Sequence, residues 1–390
     1  MRVAFLEYEF DFHNQIAGGA DICVQNMYNL ISENHTVEFF MIKDYLTNIS
    51  ALIEILDSFD IVIHNFLKGT FNHDDNILEN ILVSLKKAIT LYIDHDRYPV
   101  YNVFYKQKKK AHVTHTCDYI LTYNKFLYDN YFNSNRVLNI ENYFNYRNIS
   151  LIKTNKMLNN IYQARISNTK GALLYYNFLE KLNKYNNKYI NILIGFSGTP
   201  AEIGFKKLPG NILHIWKDKN RIEQNSENTF LHVYPFEKNQ NLLVQNLRVS
   251  EFAWNAYNLN KKHSENLYTN KGFEGAAIES ILCGAIPILN GHQRDLVIEN
   301  KKLEDYNCCL FLDDNNIDKL ADDYIHCDKE KMQNNLSILA AILADKSKYI
   351  NFFNNLINYC ISNGKQSTGI IPEMIYKELK DKNIQYFKNE

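Results

Sequence analysis

Proline and glycine are scarce, 6 and 14 among 390 residues, which excludes long Pro/Gly-rich linkers and low-complexity segments. The seven cysteines, Cys23, Cys117, Cys283, Cys308, Cys309, Cys327 and Cys360, form neither an even framework nor a CxxC pair. Free thiols in a reducing compartment are expected, rather than a disulfide scaffold or a zinc site. No apolar run approaches the roughly 18 residues of a spanning helix. Glu7, Glu9 and Asp11 interrupt the opening segment where a signal peptide needs a continuous apolar core. A cytoplasmic location without membrane attachment is the expectation. An excess of one charge is missing too: the formal net charge is −1, so no global positive field draws the chain to nucleic acid or an anionic membrane. Any such contact has to come from a local patch.

Core material is abundant. Hydrophobic residues make up 46% of the chain, and 27 Tyr and 23 Phe supply large buried areas, more than one compact core usually holds. The apolar run RVAFLEY is followed by a loop holding Gly18 and Gly19 and a helical pattern from Asp21 to Ile31. Strand, glycine loop and helix open a parallel α/β fold. HTVEFFMI, FDIVIHN, AITLYIDHD and CDYILTY repeat the theme up to about residue 150. After a polar stretch at 147 to 160 the alternation restarts with YINILIGF, NILHIW, TFLHVYPF, AIPIL and CCLFL, and from Asp318 only helical periodicity remains. Three parts are expected: an N-terminal α/β domain over 1–155, a second α/β domain over 156–340, and helices packing across both over 341–390. Ligands of such sheets bind at the carboxyl ends of the strands.

The segment GFEGAAIESILCGAIPIL, Gly272 to Leu289, is the most informative. Phe273, Ala277 and Ile281 share one helical face, Gly284 suits the helix end, and AIPIL returns as a buried strand. Glu274 and Glu279 point about 140° apart on that helix and cannot form one paired-acid site. A carboxylate near such a helix start can accept both hydroxyls of a ribose while backbone amides take a phosphate. Taken alone, either Glu is an ordinary surface residue of a core helix.

The assembly of Glu279, Cys283-Gly284 and Ile286-Pro287 resembles the donor-binding element of retaining GT-B glycosyltransferases. FExxxIExxxCGxIP further resembles the corresponding stretch of the T-even phage DNA α-glucosyltransferases, which act on hydroxymethylcytosine. SEFAWNAYNL, RISNTKG, YIDHDR and the Gly18-Gly19 loop resemble that family's aromatic segment, basic turn, His-Asp pair and glycine loop, in the same order along the chain. The resemblance implies an α/β GT-B fold: two Rossmann-like domains facing a central cleft, with C-terminal helices crossing between them. It also implies a retaining transfer of glucose from UDP-glucose, as co-substrate, to a hydroxymethylated pyrimidine in double-stranded DNA. Where the retaining GT-B pattern has a second acid, eight residues before Glu279, this chain has Lys271.

The roles that follow can be set against plainer ones. Arg165 and Lys170 would offset charge on the departing diphosphate, or form a solvated basic turn. Gly18 and Gly19 would let backbone approach the donor, with Glu274 and Glu279 completing its site. Asp96, steered by His95, would take the acceptor's proton or stabilise the positive sugar. Asp94, His95 and Asp96 also fit a metal-binding DxD of the GT-A kind, or a structural turn. With Arg165 and Lys170 neutralising phosphate, a divalent metal is possible but not required. Trp254 and Tyr257 either border the nucleotide or belong to the core. Arg97 and the run Lys106, Lys108, Lys109 and Lys110, interleaved with Tyr98, Tyr101 and Tyr105, would meet DNA phosphates and stack on bases, or form a solvated face. A glycosyltransferase of surface polysaccharide or lipid-linked saccharide, and a non-catalytic nucleotide-sugar or nucleic-acid binding module, are the competing functions. No protein partner is indicated.

Overall fold

The computed structural model describes residues 1–8, 19–65, 75–94, 117–122, 136–139, 146–165, 170–185, 189–196, 232–235, 240–257 and 275–366. The chain divides into two compact units, Met1–Phe144 with Lys346–Glu390, and Asn145–Asp345. Each is built on a six-stranded, all-parallel sheet. No helix among the described residues is long and apolar enough to cross a membrane. None of the seven cysteines is in a disulfide.

In the first unit the elements are β1 (Arg2–Glu7), α1 (Gly19–Ile31), β2 (Thr36–Met41), α2 (Ile49–Leu56), β3 (Ile61–Asn65), α3 (Asp75–Ser84), β4 (Ile89–Asp94), β5 (Tyr119–Thr122) and β6 (Val137–Asn139). The sheet order is β2-β1-β3-β4-β5-β6. Strands such as β1 and β5 are continuous apolar runs because both of their faces are covered. Leu6 and Val62 pack with Leu52, Leu56, Leu78, Ile81 and Leu82 of α2 and α3 into one core. The Asn48 side chain accepts from the backbone of Ala51 and caps α2.

The second unit holds β7 (Leu158–Arg165), α4 (Ala172–Tyr185), β8 (Asn191–Phe196), β9 (His232–Pro235), α5 (Gln240–Arg248), β10 (Ser250–Trp254), α6 (Gly275–Leu282) and β11 (Ile286–Asn290). A small hairpin, β12 (Val297–Ile298) and β13 (Lys301–Lys302), leads to β14 (Leu310–Leu312), α7 (Ile317–His326) and α8 (Lys329–Ala344). Its order is β14-β11-β10-β7-β8-β9. Tyr175 and Phe178 of α4 meet the Trp254 ring, and Phe252 packs on Tyr324 with centroids 4.5 Å apart.

From Lys346 the chain rejoins the first unit as α9 (Lys346–Asn363), which packs on α1. Polar contacts stitch its end down. The Tyr119 hydroxyl donates to the Gly364 carbonyl at 2.8 Å, Lys365 Nζ donates to the carbonyls of Leu85 and Ala88, and Gln366 N donates to buried Asp118.

Each sheet has a point where the order of winding reverses, between β1 and β3 in one and between β7 and β10 in the other. There the connections leave in opposite directions and open a crevice beyond the carboxyl ends of the strands, the usual ligand position in such sheets.

Candidate nucleotide-sugar site

The switch point of the second unit collects the residues of interest. β7 ends at Arg165, described through its backbone, and Lys170 follows just before α4. Lys170 Nζ donates to the Tyr257 hydroxyl at 2.7 Å and lies 4.2 Å from the centre of that ring. Tyr257 stands three residues past the end of β10, so the cation and the phenol bridge the crevice from its two sides. Gly171 makes this approach feasible: its φ is +75°, and a Cβ there would strike the Ala256 carbonyl and lie 3.1 Å from Trp254 Nε1. Trp254, 3% exposed and donating to that carbonyl at 2.8 Å, is a core residue. Tyr257, half-buried beside Lys170, is the one of the two aromatics that borders the crevice.

Asparagines fix the segment leaving β10. Asn290, 1% exposed at the end of β11, accepts from Tyr257 N at 2.8 Å and donates to its carbonyl at 2.9 Å. Asn255 donates to Ser280 Oγ at 3.1 Å, which ties that segment to α6 next to Glu279. Lys170, Tyr257 and the helix carrying Glu279 are thereby gathered at one edge of the sheet.

The helix α6 begins at Gly275, buries Ala277, Ile278 and Ile281, and stops at Gly284, whose φ of +72° suits a left-handed helix end. The Glu279 side chain is 14% exposed, and its Oε1 accepts from Arg147 Nε at 2.9 Å. Burial pushes the Glu279 carboxyl up, and the Arg147 guanidinium beside it pulls in the opposite direction, leaving it above its ordinary value. No second partner for this carboxylate occurs among the described residues, so it has acceptor capacity left over. Arg147, 4% exposed and donating also to the Tyr146 carbonyl, plays no part in the sequence motifs. A single Arg in a polar, Asn-rich stretch gives no signal; only the pairing with Glu279 reveals it.

Chemically, this edge offers one cation near an aromatic ring, one desolvated carboxylate, and two helix N-termini, those of α4 and α6, at the carboxyl ends of β7 and β10. Helix N-termini and a lysine attract phosphate, and a carboxylate accepts hydroxyls. Gly19 starts α1 at the corresponding edge of the first unit. Gly18, His95, Asp96, Arg97, Lys106, Lys108, Lys109, Lys110, Lys271 and Glu274 lie outside the described residues. Among the described residues, no group of three or more His, Cys, Asp or Glu is placed to hold a metal ion.

No protein-family profile matches the chain, and no curated protein sequence does. Solved structures do. An α-glucosyltransferase in complex with UDP-glucose and DNA containing an abasic site is similar with a TM-score of 0.70 at 14% identity, over 92% of this chain and 99% of that one. An α-glucosyltransferase with UDP and a 13-mer DNA containing a hydroxymethyluracil base gives 0.67, again at 14% identity and over 92% and 99% of the two chains. A glycosyltransferase involved in avilamycin A biosynthesis gives 0.54 at 12% identity, over 94% and 99%. At such identities the likeness speaks for architecture, and together with the two parallel sheets it identifies the fold as GT-B, built from two Rossmann-like α/β units.

Proposed function

We propose that this protein is a glucosyltransferase that moves glucose from UDP-glucose to the hydroxymethyl group of a modified pyrimidine in double-stranded DNA, with retention of configuration. The supporting observation is the end-to-end likeness to an α-glucosyltransferase that holds UDP-glucose and DNA, at a TM-score of 0.70, against 0.54 for the avilamycin enzyme. The groups at the switch point of the second unit suit such a donor, since Lys170, the helix carrying Glu279 and the N-terminus of α4 lie at that end of the sheet.

In this account the second unit binds the donor. Glu279 accepts the ribose hydroxyls, and Arg165 and Lys170 neutralise the diphosphate as it departs. Glu274 and the backbone at Gly18 and Gly19 complete the donor site. The bond between the sugar C1 and the diphosphate oxygen breaks, a bond from C1 to the acceptor hydroxyl oxygen forms, and the hydroxyl proton passes to Asp96, steered by His95. With cations on the diphosphate, a divalent metal is optional. Arg97, Lys108, Lys109 and Lys110 hold DNA phosphates while the target nucleotide is turned out of the stack, because a stacked base cannot deliver its hydroxymethyl group to a sugar bound at a protein switch point.

Labelled UDP-glucose incubated with hydroxymethylated and plain duplexes tests this. Label should enter only the hydroxymethylated duplex. Asp96→Asn should cut the rate at least about a hundredfold with little change in donor affinity. Glu279→Ala should weaken UDP binding by about 1.5–3 kcal/mol. Label appearing in a lipid-linked or oligosaccharide acceptor and never in DNA would leave only the glycosyltransferase fold standing.

A further inference from the structure

We propose that Arg147 is a positioning residue of the donor site: it holds the Glu279 carboxylate charged and aimed so that the free oxygen accepts the ribose hydroxyls. This rests on the nucleotide reading above and adds to it a residue outside every recognised motif.

The contact is one-sided in a telling way. Arg147 Nε meets Glu279 Oε1 at 2.9 Å, and the guanidinium spends another N–H on the Tyr146 carbonyl at 3.3 Å. A guanidinium placed to neutralise a carboxylate for its own sake usually grips both oxygens in parallel bonds. Here only one is taken, and Oε2 has no partner among the described residues. The arrangement sets a cation against one oxygen and leaves the acceptor capacity of the other unused.

Burial explains why Glu279 needs such a neighbour. At 14% exposure the side chain is stripped of most of its water, which favours the neutral acid. A protonated carboxyl presents one donor and loses acceptor capacity, so it serves a vicinal diol poorly. A buried cation opposes that effect without occupying the second oxygen. The Arg147 side chain, 4% exposed, has little freedom to leave.

The fold also keeps space for it. A Cβ on Gly275, the first residue of α6, would overlap the guanidinium, so Gly275 is the gap into which Arg147 fits. A cation against a helix N-terminus is unfavourable on its own. Glu279 on the same helix compensates it, and an anion arriving at that end of α6 would meet both the amides and the guanidinium's field.

Calorimetric titration of the full chain with UDP and with 2′,3′-dideoxy-UDP tests the idea. Wild type should prefer UDP. Arg147→Met should weaken UDP binding roughly 10- to 100-fold, the range for one hydrogen bond to a charged group, and alter dideoxy-UDP binding less than about twofold. Arg147→Lys should recover part of the loss. On a Glu279→Gln background Arg147→Met should add almost nothing. If Arg147→Met unfolds the unit, the Arg147→Lys and Glu279→Gln comparisons carry the same discrimination. Equal loss of both nucleotides in any folded Arg147 variant, or UDP binding unchanged in Arg147→Met, overturns the positioning role while the nucleotide site stands. Wild type that binds neither compound overturns the nucleotide reading, and this inference with it.

Discussion

His64 on β3 is 1% exposed, neither of its ring nitrogens has a hydrogen-bond partner among the described residues, and its ring stacks on Tyr92 with centroids 5.4 Å apart. Burial alone drives its pKa from 6.5 down to about 3. The folded state therefore binds the neutral ring, whereas the unfolded chain takes up a proton below pH 6.5. The stability contributed by the neutral form is complete above pH 6.5 and declines by about 1.4 kcal/mol for each pH unit as the pH falls toward 3. His64→Phe keeps an aromatic plate on Tyr92 and removes the titration. Thermal melts between pH 7 and pH 4.5 should show the wild type losing more stability than the variant. Parallel curves for the two proteins would mean that His64 finds a partner in solution.

At the scale of elements, the glycines at the two helix starts both exclude a side chain, one against backbone and one against a guanidinium. Gly171→Ala strains a left-handed residue by about 1–2 kcal/mol and drives a methyl into the backbone carbonyl of Ala256, which cannot yield. A large drop in melting temperature is expected. Gly275→Ala drives a methyl into the buried Arg147 guanidinium, which has to shift away from Glu279. Its melting temperature should fall as well, because the desolvated Glu279 carboxylate is left without its cation, and its UDP affinity should fall as in Arg147→Met. Unchanged UDP affinity in a folded Gly275→Ala protein would show that Arg147 does not act through that gap.

The same scale shows what was legible in the sequence. The helix from Gly275 to Leu282, its end at Gly284 and the strand at Ile286 to Asn290 follow their apolar pattern closely. The two strands that flank the switch point did not stand out as strands. β7 reads LNNIYQAR, and its Asn160, though 1% exposed, is polar because its amide donates to Asn191 and to the Tyr324 hydroxyl. In β10, Ser250 is fully buried and bonds back to the Asn246 carbonyl, while Glu251 pairs with Lys329. A central strand that carries buried polar side chains bonded inside the fold, such as the Asn160 amide and Ser250, loses the apolar signature of burial. Lys170 was visible through its basic turn. Arg147 was not, since its partner is 132 positions away.

For the whole molecule, a formal charge of −1 gives no general attraction for DNA, so the proposed acceptor needs a local one. Replacing Lys108, Lys109 and Lys110 by Ser should weaken binding to all duplexes alike and reduce the salt slope by about 0.9 per lost phosphate contact, with UDP binding unchanged. An unaltered slope would remove that lysine run from the DNA interface.

The central claim is that glucose passes to a hydroxymethyl group on a DNA base. A duplex carrying a single hydroxymethylcytosine, incubated with the protein and UDP-glucose and then weighed intact by mass spectrometry, measures it directly. The account predicts a gain of one hexosyl mass on the modified strand alone, abolished by Asp96→Asn. An unshifted duplex, from protein shown by calorimetry to bind UDP, would contradict it.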